Sequence, residues 1–178
     1  MKQKQFLTVM AVLDDDTQKT MDGLQKRIIA LGAPGTQTMG IPFHISLGSF
    51  PVEKEHEVLR AMRETSGKTT VFSVMLTGLD TFSDRVLFLR PEMNYQLAAL
   101  HQPFDCAFAD GYPWTPHATL FCGETEEVRR AKKEIEGMRL PIFSRVTALE
   151  LGRFFPAQFI SRMALLPEGK AGKEVCKS

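Results

Sequence analysis

The sequence predicts an α+β fold built as two similar lobes, with antiparallel or mixed sheets that face a central cleft and helices outside. Two observations support this prediction. Apolar segments of strand length alternate with amphipathic segments of helix length along the chain. The same order of loop, strand and charged helix occurs twice, around His44 and around His117. With 178 residues, 43% of them hydrophobic, we expect one bilobal domain over residues 1–167 and a polar tail over 168–178.

The first half of the chain contains four predicted elements. Residues 6–13 form an apolar run that acidic residues stop, which favours a short strand. Residues 16–31 carry apolar side chains at helical spacing, and Gly32 is a suitable helix stop. Residues 42–50 alternate between apolar and polar side chains, as a half-buried strand does, and residues 51–64 form a charged helix that begins at a proline.

The second half repeats this order after a hairpin. Two apolar runs joined by a polar turn at Ser83 and Asp84 predict paired strands, and a long helical pattern follows, in which Pro103 is a potential break. A turn rich in Gly and Pro then leads into the second histidine strand. The predicted strands are residues 69–79, 85–90, 117–122, 142–151 and 158–166, and the predicted helices are residues 92–110 and 124–138.

Two of the four histidines share one sequence pattern, a histidine followed two residues later by Ser or Thr and then by Leu. The pattern occurs at residues 44–47 and 117–120. Residues two apart in a strand project from the same face, so His44 is expected beside Ser46 and His117 beside Thr119. The matching positions of the motifs in the two halves predict that both pairs face the cleft.

Two histidines and two hydroxyls in one cleft suit the cleavage of a phosphate ester. Hydrolysis needs a base that takes a proton from water and an acid that gives one to the leaving oxygen, and histidine does both near neutral pH. The hydroxyls can donate hydrogen bonds to the non-bridging phosphate oxygens, where negative charge accumulates. This chemistry requires no metal.

The motifs, their separation and the order of elements resemble the two-histidine (2H) phosphoesterase superfamily, which includes 2′-5′ RNA ligase-like RNA 2′,3′-cyclic phosphodiesterases. The resemblance covers residues 6–166. It implies hydrolysis of a cyclic or 2′-5′ phosphodiester without a cofactor. It also implies that His44 and His117 are the general acid–base pair, and that Ser46 and Thr119 hold the phosphate.

The residues that follow each motif depart from the RNA-processing members of that superfamily. Residues 48–50 are Gly-Ser-Phe where those members commonly have Phe-Leu-Gly, and residues 121–123 are Phe-Cys-Gly where an arginine is frequent. The expected partner is therefore either a small nucleotide cyclic phosphate or an RNA with a 2′,3′-cyclic or 2′-5′ phosphodiester. Ligation at a 2′-5′ bond, or binding of a nucleotide or RNA end without turnover, are the alternative functions.

Five other residues are candidates for contacts with the substrate. The aromatic side chains of Phe43, Tyr112 and Trp114 flank the motifs and are candidates to stack on a base, although packing in the core is the alternative for the single tryptophan. Arg85 and Arg153 lie near predicted strand ends and are candidates for phosphate contacts, with surface ion pairs as the alternative.

The remaining histidines and the cysteines have simpler interpretations. His56 and His101 fall in predicted helices, where we expect them to face solvent or to bind local partners. A zinc site built from His117, Cys122 and Cys106 lacks the usual short ligand spacing, so we expect no metal.

The bulk properties exclude several classes of protein. A net charge of +1 argues against a general affinity for nucleic acid, which requires many phosphate-neutralising cations. No apolar run approaches the roughly 20 residues that span a bilayer, so no membrane association is expected. Three cysteines without CxxC spacing indicate the reducing cytoplasm rather than a disulfide framework. No obligate protein partner is evident.

Overall fold

The computed structural model describes residues 4–105 and 113–168. In these ranges the chain forms seven strands and four α-helices. The strands are β1 (Phe6–Leu13), β2 (His44–Pro51), β3 (Phe72–Phe82), β4 (Val86–Pro91), β5 (Ala118–Cys122), β6 (Ile142–Phe154) and β7 (Gln158–Ala164). The α-helices are α1 (Asp15–Ala30), α2 (Glu55–Ser66), α3 (Tyr95–His101) and α4 (Thr125–Ile135), and single 3₁₀ turns span Val52–Lys54 and Gln102–Phe104.

The strands form one antiparallel sheet in the order β1-β2-β5-β4-β3-β6-β7. The long strand β6 serves both halves of this sheet. Its residues 142–146 pair with β3, whereas its later residues pair with β1 and β7. The two lobes are therefore the half-sheets β2-β1-β6-β7 and β5-β4-β3-β6, continuous through β6. The predicted two-lobed α+β fold is confirmed, and its strand pairing is antiparallel.

Strand β1 is buried on both faces, which explains its unbroken apolar run. Leu7, Val9 and Ala11 belong to the main hydrophobic core. The alternate side chains point to the opposite face, where Thr8 is 4% exposed and lines the cleft. A central strand covered on both sides has no polar face to show, so periodicity alone does not separate it from a buried helix.

The helices cover the outer faces of the two half-sheets in a crossed arrangement. Helix α1 packs against α4 and β5, on the half-sheet contributed mainly by the second half of the chain. Helices α2 and α3 pack on the other half-sheet, α2 against β6 and β7 and α3 against β2. Asp14 caps α1 by accepting a hydrogen bond from the backbone N–H of Thr17 at 2.9 Å. In the ranges that the structure describes, no helix combines the length and apolar character needed to cross a membrane.

One helix is shorter than its sequence pattern. The pattern over residues 92–110 predicted a long helix with Pro103 as a potential break, and α3 begins after its cap at Asn94 and ends at His101. A 3₁₀ turn that contains Pro103 follows. Proline lacks the N–H that would continue the α-helical hydrogen bonds, and its ring clashes with the preceding turn. Residues 106–110 of that prediction lie outside the described residues.

The turn between β3 and β4 places a short hairpin at the edge of the cleft. Ser83 and Asp84 have φ values of 47° and 53°. Both central residues therefore lie in the left-handed region, as in the two-residue hairpin turns whose twist matches that of the strands. The hairpin brings Ser83 and the neighbouring Phe82 into the lining of the cleft.

Candidate active site

The four motif residues line one groove with a volume of about 840 Å³. His44 and Ser46 reach it from β2, and Thr119 from β5, with His117 immediately before β5. Strand alternation sends the intervening side chains the other way, so Ile45 is fully buried in the core. The shared face that the sequence predicts for each His–hydroxyl pair is therefore present in the structure.

The two motifs meet at the junction between the half-sheets. Strands β2 and β5 are antiparallel and pair at Ile45 and Ala118. In this antiparallel register the flanking residues lie opposite each other, so His44 faces Thr119 and Ser46 faces His117 across the junction. Each histidine thus neighbours the hydroxyl of its own motif along the strand and that of the other motif across it.

The same hydrogen bond fixes both imidazole rings. Nδ1 of His44 lies 2.6 Å from the carbonyl oxygen of Pro42, and Nδ1 of His117 lies 2.8 Å from that of Thr115. A carbonyl only accepts, so each Nδ1 carries the proton and donates it to the residue two positions upstream. In both rings Nε2 is the nitrogen left to exchange a proton in the groove.

The surroundings of the histidines favour their neutral forms. Burial lowers the pKa of His44 from 6.5 to about 4, the Pro42 carbonyl opposes this effect, and repulsion from His117 adds a smaller decrease. Burial also lowers the pKa of His117, against the effect of the Thr115 carbonyl. At neutral pH both Nε2 atoms of the free protein therefore hold a lone pair and can accept a proton.

Aromatic side chains hold the ring of His117 from the side of β3 and β4. Phe82 meets it edge-on, with ring centroids 4.8 Å apart and an interplanar angle of 89°. The ring centroid of Phe88 lies 5.4 Å from that of His117, with an interplanar angle of 62°. These contacts restrict the rotation of the imidazole, which the Thr115 bond alone would leave free to tilt.

The segment that leads into the second motif is attached to the first motif strand. The indole N–H of Trp114 donates to the carbonyl of Ser46 at 2.9 Å. The ring of His101 stacks on the indole, with ring centroids 3.7 Å apart and an interplanar angle of 10°. Nδ1 of His101 in turn donates to the carbonyl of Leu47 at 2.7 Å. His101 does not face solvent, since its side chain is 12% exposed. Sequence spacing gives no signal for this contact, because its partners lie 54 residues apart.

The other candidate site residues separate into two groups. Phe43 and Trp114 line the groove. Arg85 and Arg153 are absent from the described lining. Arg85 forms an ion pair with Glu124 at 3.0 Å, and Arg153 forms one with Glu55 at 2.7 Å. Tyr112 lies outside the described residues.

The cysteines and the remaining histidine have no assigned role. Cys122 lines the groove as a free thiol whose pKa burial raises. Cys106, the third member of the zinc alternative, lies outside the described residues. In residues 4–105 and 113–168, no three His, Cys, Asp or Glu side chains are grouped as metal ligands. His56 is exposed on α2.

A wall of the groove that the sequence did not indicate comes from the loop between α1 and β2, residues 37–42. The backbone N–H of Thr36 donates to the carbonyl of Cys122 at 2.7 Å, which ties this loop to the end of β5. Gly35 has a φ of +68°, and an added Cβ there would lie 2.4 Å from the same carbonyl. The Pro34-Gly35 pair marks a loop in the sequence, but only the structure shows that the loop closes the groove.

A family model described as the 2′-5′ RNA ligase superfamily matches residues 8–154. Among solved structures, TT0787 of Thermus thermophilus is similar with a TM-score of 0.62 and 15% identity, over 92% of this chain and 99% of that one. LigT of E. coli, complexed with 3′-AMP, has a TM-score of 0.55 and 18% identity, over 90% and 98% of the two chains. At such identities these likenesses establish the fold. A sequence search of the curated proteins finds no match.

The family match spans most of the chain and includes both histidine motifs. The resemblance to the two-histidine phosphoesterases is thereby confirmed. This chain belongs to the 2′-5′ RNA ligase superfamily.

Proposed function

We propose that this protein is a phosphodiesterase that hydrolyses a 2′,3′-cyclic or related phosphodiester by general acid–base catalysis between His44 and His117. The observation that carries the proposal is the matched anchoring of the two groove-lining rings. Each donates Nδ1–H to a carbonyl two residues upstream, which leaves each Nε2 for proton transfer. Ester hydrolysis by general acid–base catalysis requires one base and one acid, and two imidazoles anchored in the same way can fill these two roles.

The reaction needs one proton to be moved on each side of the phosphorus. The neutral Nε2 of one histidine takes a proton from water as the water oxygen bonds to phosphorus. The protonated Nε2 of the other histidine gives its proton to the ribose oxygen as the bond from that oxygen to phosphorus breaks. The product is a phosphomonoester with a free hydroxyl, and one proton exchange with solvent restores the pair.

The negative phosphate helps to supply the acid. In the free protein burial holds both histidine pKa values low. An anion beside the rings stabilises an imidazolium and raises these values, so binding of the substrate charges one histidine. The base is then the histidine that stays neutral. Binding of the substrate thus raises the pH up to which one histidine is protonated.

Ser46 and Thr119 are proposed to hold the phosphate. Their hydroxyls share the groove face with the histidines. Hydrogen bonds from hydroxyls to the non-bridging oxygens become stronger as charge accumulates there in the transition state. The superfamily fold also accommodates such ligands, because LigT of E. coli has been crystallised with 3′-AMP, phosphate, ATP and NADP+. We therefore propose that the groove of this chain receives a nucleoside with its phosphate between the histidines.

The test is hydrolysis of nucleoside 2′,3′-cyclic phosphates in EDTA by the wild type and by three histidine variants. We expect His44→Gln and His117→Gln to lower kcat by about 10²–10⁴-fold, the usual contribution of a general acid or base. His56→Gln is the matched control, since His56 is exposed on α2 outside the described groove lining. Circular dichroism establishes that each variant is folded.

Four outcomes would contradict the proposal. Full activity in either groove variant would remove that histidine from the chemistry. Loss of wild-type activity in EDTA would indicate a metal-dependent reaction. Stoichiometric nucleotide binding with no product after long incubation would make the protein a binding module, and formation of a joined 2′-5′ product would make it a ligase.

A further inference from the structure

The described walls of the groove carry little charge. Apart from the two histidines and the Cys122 thiol, the one ionisable side chain in this lining is that of Asp22 on α1. Its carboxylate pairs with the ammonium group of Lys26 at 2.6 Å, on the exposed face of the helix. Lysine and arginine side chains do not contribute to the lining within residues 4–105 and 113–168. A ligand in the groove is therefore offered neutral contacts rather than cations.

Two arginines close to the groove in sequence are already neutralised. Arg85 follows the hairpin that lines the groove, and its guanidinium binds the carboxylate of Glu124 at 3.0 Å. Arg153 precedes Phe154, which lines the groove, and binds the carboxylate of Glu55 at 2.7 Å. Swinging either side chain toward a ligand phosphate would break its ion pair. This would cost more for Arg153 and Glu55, which are 31% and 29% exposed, than for the well-exposed Arg85 and Glu124. In the structure neither guanidinium reaches the described lining.

The groove is instead rich in apolar surface. Phe6 and Phe154 stack on each other with ring centroids 5.4 Å apart, and both line it. Phe82 and Trp114 add aromatic surface on the side of His117, and Met39 and Ile41 add aliphatic surface from the loop before β2. Flat and apolar walls suit a base and a sugar, whose faces gain from stacking and from loss of water.

A phosphate group needs a different environment. Single-stranded nucleic acids are bound in positively charged grooves, and each neutralised phosphate makes the affinity depend on salt. A second phosphate brought into this groove would lose hydration and would meet neutral walls and the Asp22 carboxylate. The single phosphodiester at the histidines, by contrast, has the Ser46 and Thr119 hydroxyls beside it.

We propose that the substrate is a small nucleoside phosphodiester with one negative charge, and that the groove discriminates against RNA ends and against nucleotides with additional phosphates. This inference rests on the proposed hydrolytic function and narrows its substrate class. The discriminating feature is the neutral, aromatic lining supplied by β1, β6, the β3–β4 hairpin and the loop before β2.

The experiment compares two substrates that share the base and the reacting ring. Adenosine 2′,3′-cyclic phosphate carries one charge, and its 5′-phosphorylated derivative carries about 1.5 to 2 more near pH 7. We expect kcat/KM to be about tenfold or more higher for the first. We also expect the rate for the first to be nearly independent of salt, without the slope of about −0.7 per neutralised phosphate typical of single strands.

A gain of function tests the lining directly. Met39 is 70% exposed at the edge of the groove, so a longer cationic side chain fits there without displacing core atoms. We expect Met39→Lys to raise the relative kcat/KM for the 5′-phosphorylated substrate about fivefold. Salt near 1 M should abolish the gain, because it shortens the screening length to about 3 Å. Met93→Lys is the matched control, since Met93 is 51% exposed outside the lining and should leave the ratio unchanged.

The outcomes separate this inference from the function on which it rests. Equal or faster turnover of the 5′-phosphorylated substrate, or of an RNA oligonucleotide ending in the cyclic phosphate, would overturn the inference while leaving hydrolysis established. An equal effect of Met39→Lys and Met93→Lys would also overturn it, because the groove would then not be the source of discrimination. Failure to hydrolyse any of these substrates would overturn the proposed function, and the inference with it.

Discussion

The low proton affinity of His44 predicts a specific loss of stability in acid. The pKa of this residue is lowered from 6.5 to about 4, mainly by burial. At about 1.4 kcal/mol for each tenfold change in proton affinity, this difference corresponds to roughly 3 kcal/mol. Between pH 6.5 and 4 the unfolded chain binds the proton more strongly than the folded chain does. Stability is therefore fully present above about pH 6.5 and is lost as the pH falls toward 4.

The assay is urea unfolding of the wild type and of His44→Gln at several pH values between 7.5 and 4. Glutamine cannot gain a charge, so the difference in unfolding free energy between the two proteins should move by about 3 kcal/mol in favour of the variant across this range. Carboxylates titrate in the same range, but they contribute equally to both proteins and cancel in the difference. His56→Gln, at an exposed position, should parallel the wild type. Parallel curves for His44→Gln and the wild type would refute the assignment of an imidazole that the fold holds neutral.

Three further predictions concern packing and the site. Gly48→Ala should lower the unfolding free energy, measured by urea unfolding, by about 1–3 kcal/mol, because the new Cβ would lie 2.3 Å from the backbone oxygen of Phe104. Gly137→Ala is the control and should cause no such loss, because the space around Gly137 is open. Thr119→Val keeps the shape but removes the hydroxyl, and steady-state kinetics should show kcat/KM lower by about 10–100-fold with Tm nearly unchanged. Trp114→Phe loses the hydrogen bond to β2, so amide exchange before β5 should become faster and kcat should fall by more than KM rises.

The strands and the motif faces could be predicted because their signals are local. Alternation along residues 44–47 places Ile45 in the core and His44 in the groove, and this depends only on the two-residue period of a strand. The turn at Ser83 and Asp84 was likewise predictable from polar residues between two apolar runs. The end of α3 was indicated only by the potential break at Pro103, because helical periodicity continues past this residue in the sequence although the α-helix ends at His101.

The walls of the groove could not be predicted because they depend on contacts between distant residues. The stacking of His101 on Trp114 joins α3 to the segment before β5, and neither residue carries a pattern that specifies the other. Ion pairs were the alternative expected for Arg85 and Arg153, but their glutamate partners could not be named from the sequence, since they lie 39 and 98 residues away. Gly48 is explained only by the carbonyl of the 3₁₀ turn that approaches β2.

The position of the histidines at the junction of the half-sheets has a mechanical consequence. Strands β2 and β5 share one residue pair there, Ile45 with Ala118, whereas β1 is paired with β6 along its whole length. The two histidines therefore belong to half-sheets that share the long strand β6 but only a single residue pair at the groove. The bond from Trp114 to the carbonyl of Ser46 spans this junction. It links the backbone of one motif to the approach of the other, and so adds a second connection between the two motifs beside the single strand pair. Under the proposed function the phosphate enters between these two half-buried rings, each of which is held by a carbonyl of its own segment, Pro42 or Thr115, and not by the other half-sheet.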